Sequence, residues 1–181
     1  MSKVVDFRDY HVKQAVKRCQ DFWKTRCPLG LSADTRLDQL SDKTLLTLAF
    51  LGKDIMAFLQ GLTILALDAG PEPDFGRLAA NSKLKILDVN LFLIDQIRWE
   101  CLKRLGWVRG FPGEEYPLIE LILFAEKIKA EFKPTFPQLS ETHPNYQEFN
   151  WRRDKDGEAM IRAMIPTALA AFGGKVGLTS C

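Results

Sequence analysis

The polar residues best placed to do chemistry sit in or beside one apolar stretch, VNLFLIDQIRWE, running from Val89 to Glu100. Asp88 and Asp95 are seven residues apart and Arg98 follows Asp95 by three, so on a helix all three project from nearly one face. Asn90 and Gln96 are embedded among them, and apolar side chains cover most other directions. A charge in such surroundings must be paired or must border water, because an isolated buried charge is very costly. Two readings follow. In the structural one, Asp95 and Arg98 form an ion pair and Asp88 stays in solvent. In the functional one, Asp88, Asp95 and Arg98 border a polar pocket between the second and third helices, joined by Lys53 or Asp54. Trp99 or Tyr146 then supplies a stacking wall. Such a pocket would bind a small molecule or run acid–base chemistry.

No other constellation competes with this set. The chain has no GxGxxG, no GxxxxGK[ST] and no GxSxG. Its two histidines, His11 and His143, cannot build HExxH or the paired Glu-x-x-His of di-iron bundles. The cysteines Cys19, Cys27, Cys101 and Cys181 show no CxxC pair and no zinc spacing with either histidine. No metal and no cofactor is therefore implied. Cys19 and Cys101 fall on apolar helix faces and read as small core residues. His11, at the edge of an apolar stripe, reads as half-buried, and His143, in a Thr-His-Pro loop, as exposed. Either titrates near neutral pH.

The elements that must carry these residues are helical throughout, and no β alternation persists. In the first segment Val12, Ala15, Val16, Cys19, Phe22 and Trp23 form a single stripe, with Asp6 as N-cap and Cys27-Pro28-Leu29-Gly30 as the stop. A second helix is expected from Asp42, capped by Ser41, to Ala69, with Gly70 as its left-handed cap. It is apolar almost all round, and Gly52 and Gly61 suggest close helix approach. The third runs from about Ser82 to Gly106 on a stripe of Leu84, Leu87, Leu91, Ile94, Cys101, Leu102 and Leu105. The fourth starts at Glu114-Glu115-Tyr116-Pro117 and continues through Leu118, Leu121, Ala125, Ile128 and Phe132. Residues from about 134 to 157 have no apolar period but carry Phe136, Tyr146, Phe149 and Trp151, so they read as an irregular aromatic strap across the bundle. A last helix, Glu158 to about Phe172, carries Met160, Ile161, Met164, Ile165 and Leu169. Pro166 should kink or split it, and 173–181 should be a flexible tail. The expected fold is all-α: one domain over 1–181, with four main helices, the second and third central and hydrophobic, closed by the strap and the C-terminal helix.

Composition limits the function classes. The chain has 181 residues, 46% apolar and 27% charged, with a net charge of +2. That content is too apolar for disorder and the charge too small for a nucleic-acid protein. The balance alternates along the chain, +4 over 1–30, −3 over 31–80, +3 over 81–110, −4 over 111–150 and +2 over 151–181, as expected of neighbouring elements that complement each other. Arg8, Lys13, Lys17, Arg18 and Lys24 on the first helix are the best nucleic-acid footprint, and Asp154 and Asp156 dilute a second one at Arg152, Arg153 and Lys155. The longest uncharged apolar run, Ile55 to Leu67, is shorter than the roughly 20 residues that span a bilayer, and the N-terminus carries charges throughout. These features predict a cytoplasmic, non-enzymatic interaction, assembly or regulatory module that self-associates or binds a protein partner. A small-molecule binder or enzyme built on Asp88, Asp95 and Arg98 is the alternative, and nucleic-acid binding through the first helix is a third.

Overall fold

Helical periodicity is realised as seven α-helices in a computed structural model that describes residues 7–27, 29, 31–70, 72–131 and 137–177. They are α1 (Phe7–Arg26), α2 (Asp42–Phe50), α3 (Lys53–Ala66), α4 (Ala80–Arg104), α5 (Leu118–Leu123), α6 (Ala125–Glu131) and α7 (Tyr146–Val176), with 3-10 turns at Leu37–Gln39 and Phe75–Arg77. No strand forms among the described residues; isolated bridges Arg36–Pro117 and Val108–Leu139 stitch the connectors together. The all-α class is as expected. No single helix among the described residues is long and apolar enough to cross a membrane. Asp6, Pro28, Gly30, Pro71, the stretch from Phe132 to Phe136 and the last four residues, Cys181 included, lie outside the described residues.

The second predicted helix is two. Leu51 enters the left-handed region at φ 52°, Gly52 restarts the chain as the N-cap of α3, and the axes of α2 and α3 differ by 88°. At the far end the left-handed residue is Asp68, at φ 54°, rather than Gly70. Gly70 is needed for space instead, because a Cβ there would lie 2.9 Å from Leu78 Cδ2. Of the two glycines expected at close contacts, Gly61 is one, its absent Cβ falling 2.5 Å from Phe22 Cζ, whereas Gly52 has nothing within 4 Å. The fourth predicted helix also divides, at Phe124, yet Leu118, Leu121, Ala125 and Ile128 are buried as their spacing requires.

α4 is the axis of the molecule, touching α2, α3, α5, α6 and α7. Its buried row is Ile86, Val89, Leu93 and Ile97, while Leu84, Leu87 and Leu91 of the expected stripe are exposed. A helix covered on most sides carries more than one apolar row, and leucine count does not say which of them meets neighbours. α7 corrects the strap: Tyr146 to Gly157 is helical, and 137–145 is the irregular remainder that is described. Glu148, Arg152 and Asp156, each four residues from the next and paired at 3.0 and 3.1 Å, line the exposed face of this stretch, which has no apolar stripe. Pro166 does not end α7, and residues 173–176 of the expected tail belong to it.

One cation joins four segments at the C-terminal end of α4. Arg104 donates Nε to Glu100 at 2.8 Å, Nη1 to Asp42 Oδ1 and to the Leu40 carbonyl at 2.7 Å each, and Nη2 to the carbonyls of Leu37 at 2.9 Å and Asp38 at 3.2 Å. Lys175 of α7 reaches Asp42 at 3.7 Å and the Arg104 carbonyl at 3.4 Å. Glu100 is buried, and Arg104 is the cation that meets its carboxylate. A planar fork with several fixed donors is what the arrangement uses, and an ammonium cannot reproduce it. Arg104→Lys is therefore expected to lower the unfolding free energy by about 2 kcal/mol in urea titration, while Arg152→Lys on the exposed face of α7 should leave the midpoint unchanged.

Candidate functional site

The residues singled out from sequence are sent to different neighbours. Asp88 is exposed and paired with Lys129 of α6, which also holds Glu126 at 2.8 Å. The hydrogen bond from Lys129 keeps the Asp88 carboxyl below its ordinary pKa. Asp95 is buried and takes its ion pair from α7, with Arg162 Nη1 at 2.7 Å, instead of from Arg98. Burial pushes the Asp95 carboxyl up, and Arg162 offsets that only in part. Arg98 donates to the Ala49 carbonyl of α2 at 3.4 Å, because its side chain meets the end of that helix. Trp99 is buried with its ring centroid 6.5 Å from that of Phe111, and Tyr146 is half-buried at the start of α7. Lys53 and Asp54 are exposed in the first turn of α3. Asp88, Asp95 and Arg98 thus engage three separate elements.

The remaining polar groups inside α4 are structural ties. Asn90 Oδ1 accepts from the Thr63 hydroxyl at 3.0 Å, and Gln96 Oε1 accepts from the Gly113 amide at 2.8 Å. A Cβ on Gly113 would collide with that Gln96 oxygen and lie 2.7 Å from Leu121 Cδ2. The Cys19 and Cys101 thiols are pushed up to about 11 and about 12 by burial, so both stay protonated and inert.

On α1 the expected basic footprint is divided. Arg8 pairs with Glu120 and lies over the rings of Tyr116 and Phe124, 5.6 and 5.3 Å from their centroids. Arg18 caps the end of α3 through the Leu65 and Ala66 carbonyls at 2.9 and 2.7 Å. Lys13, Lys17 and Lys24 remain on the solvent side. His11 is exposed rather than half-buried, its ring 6.2 Å from that of Tyr10.

A concave site does form, from residues far apart in the chain. Gly106, at φ 74°, ends α4 and delivers Trp107. The Trp107 carbonyl accepts from the Ser140 amide at 2.7 Å and the Arg109 amide donates to the Gln138 carbonyl at 3.1 Å, which fixes 138–140 beside it. A turn then presents His143 edge-on to Trp107, with centroids 5.0 Å apart and planes at 68°. These two, with Asn145 and with Met160, Ala163, Met164 and Thr167 of α7, line a groove of about 370 Å³. His143 Nδ1 accepts from the Asn145 amide at 3.2 Å, so the ring carries its proton on Nε2, and burial lowers its pKa further toward the neutral form. Sequence reasoning put Met160 and Met164 in the core stripe and left Trp107 and His143 unconnected, since nothing local links them.

The groove has a geometric corollary. An unbent helix would rise about 22 Å between Asn145 and Met160; both border one groove, so α7 bends between them. The side chains of 150–156 are exposed apart from half-buried Arg152, and buried Gly157 marks the return to the bundle. Beyond it α7 runs alongside α4 in the same direction, meeting it at Asp95–Arg162 and again at Arg104–Lys175. In the first half of α4, Leu84, Leu87 and Leu91 are 66%, 40% and 63% exposed, and Trp151 of α7 is 85% exposed.

No protein family, no curated protein and no solved structure matches this chain.

The two aspartates titrate in opposite senses. Folded Asp95 holds its proton more tightly than the unfolded chain does, so its contribution to stability falls as pH rises from the ordinary value of 3.8. Asp88 gives up its proton more readily when folded, so its contribution is lost as pH falls below 3.8. In urea titrations between about pH 3 and pH 6, Asp95→Asn should gain stability relative to wild type as pH rises, and the deficit of Asp88→Asn should vanish as pH falls.

Proposed function

We propose that this chain is a non-enzymatic helical interaction module that self-associates through the uncovered face of α4. The observation that carries this reading is the row Leu84, Leu87 and Leu91, all exposed on a helix that is otherwise mostly buried. Exposed leucines scattered singly are ordinary, but three aligned at i, i+3 and i+7 repeat the spacing of a helix–helix seam. The row is also self-complementary. An antiparallel two-fold centred near Leu87 sets Leu84 against the partner's Leu91 and Leu87 against its own copy, as an isologous interface requires. The charges that would have served an enzyme are engaged in ties between helices, at Asp88–Lys129, Asp95–Arg162 and Arg98–Ala49. Free thiols at Cys19, Cys27 and Cys101 suit a reducing compartment, so this reading carries the cytoplasm as its location.

Sedimentation velocity over about a hundredfold range of concentration tests it. The wild-type chain should sediment faster as concentration rises, and Leu91→Glu should stay monomeric with unchanged helicity, because the site is exposed and the change leaves the core alone. A wild type that is monomeric throughout, or a Leu91→Glu variant that associates equally well, would refute the proposal.

A further inference from the structure

We propose that the groove between Trp107, His143 and the second half of α7 is a binding site for an uncharged, largely apolar small molecule bearing a hydrogen-bond acceptor. The site is separate from the leucine row and does not rest on self-association. Its volume of about 370 Å³ lies within the range of small-molecule pockets. The apolar part of the wall consists of an indole, two thioethers and a methyl group, and methionine side chains adapt to whatever shape lies against them. No Asp, Glu, Lys or Arg is among the described residues that line it, so a charged ligand would lose hydration with no opposite charge to replace it.

The polar groups present select for an acceptor. His143 Nδ1 is already engaged by the Asn145 amide, which leaves the Nε2 proton as a donor toward a ligand. The same hydrogen bond argues against a soft metal ion held by His143, Met160 and Met164. Coordination at Nε2 would force the ring proton onto Nδ1, against the Asn145 N–H. A carbonyl or ether oxygen on a flat apolar body meets these demands: the oxygen faces His143, and the body lies between Trp107 and the methionines.

The probe is 6-propionyl-2-(dimethylamino)naphthalene, an uncharged ketone whose emission shifts to the blue in apolar surroundings. Titrated onto the full chain, it should bind saturably, one per chain, with a blue shift. Ala163→Trp, which fills the groove from an exposed helix position, and Met164→Glu, which puts a charge in its wall, should each weaken binding by about tenfold or more. Circular dichroism of the two variants should match that of the wild type. Leu91→Glu should leave binding unchanged, which separates the groove from the leucine row. Absence of saturable binding, binding undiminished in both groove variants, or binding lost in Leu91→Glu would overturn the proposal.

Discussion

A guanidinium held at the end of α4 is the constraint from which much of the architecture follows. Arg104 accounts for Glu100, which would otherwise be an uncompensated buried charge, and for three backbone carbonyls of the segment from Leu37 to Leu40. It also meets Asp42 in the first turn of α2, where a carboxylate already benefits from the positive end of the helix dipole. The end of one helix, a 3-10 turn and the start of another are thereby bound at one point. The buried acid itself is met by Arg104 Nε, while the guanidinium's other donors hold the neighbouring segments.

From that point the two halves of the apolar second segment diverge. α2 returns along α4, with its Ala49 carbonyl at Arg98, while α3 crosses to pack between α1 and α4. The turn between them is made by Leu51, a residue that ordinarily avoids positive φ; it is half-buried against the core, and tertiary packing outweighs the local preference there. α4 in turn fixes the loop before α5 through Gln96 and Gly113. Its charged positions are divided among α2, α6 and α7. Of these pairs Arg104–Asp42 joins a net-positive segment to a net-negative one, whereas Asp88–Lys129 uses the minority charge of both its segments and Asp95–Arg162 links two net-positive ones.

The helical class was legible because period is a local property, and so were the buried positions Leu118, Leu121, Ala125 and Ile128. The break at Leu51 was not, since Gly52 beside it drew attention to packing and the left-handed residue was a leucine. The onset of α7 was missed because Tyr146 to Gly157 has no apolar stripe; the signal available was the Glu148–Arg152–Asp156 spacing. At the site, Asp95 had a candidate partner three residues away, but its real one, Arg162, lies on another helix. Trp107, His143 and Met164 likewise meet only through tertiary folding, so no spacing rule could have joined them.

The bend in α7 brings two stretches of one helix to a single concavity. Asn145, just before its first turn, and Met160 line the same groove, so a ligand seated there would touch both arms of the helix at once and hold their angle.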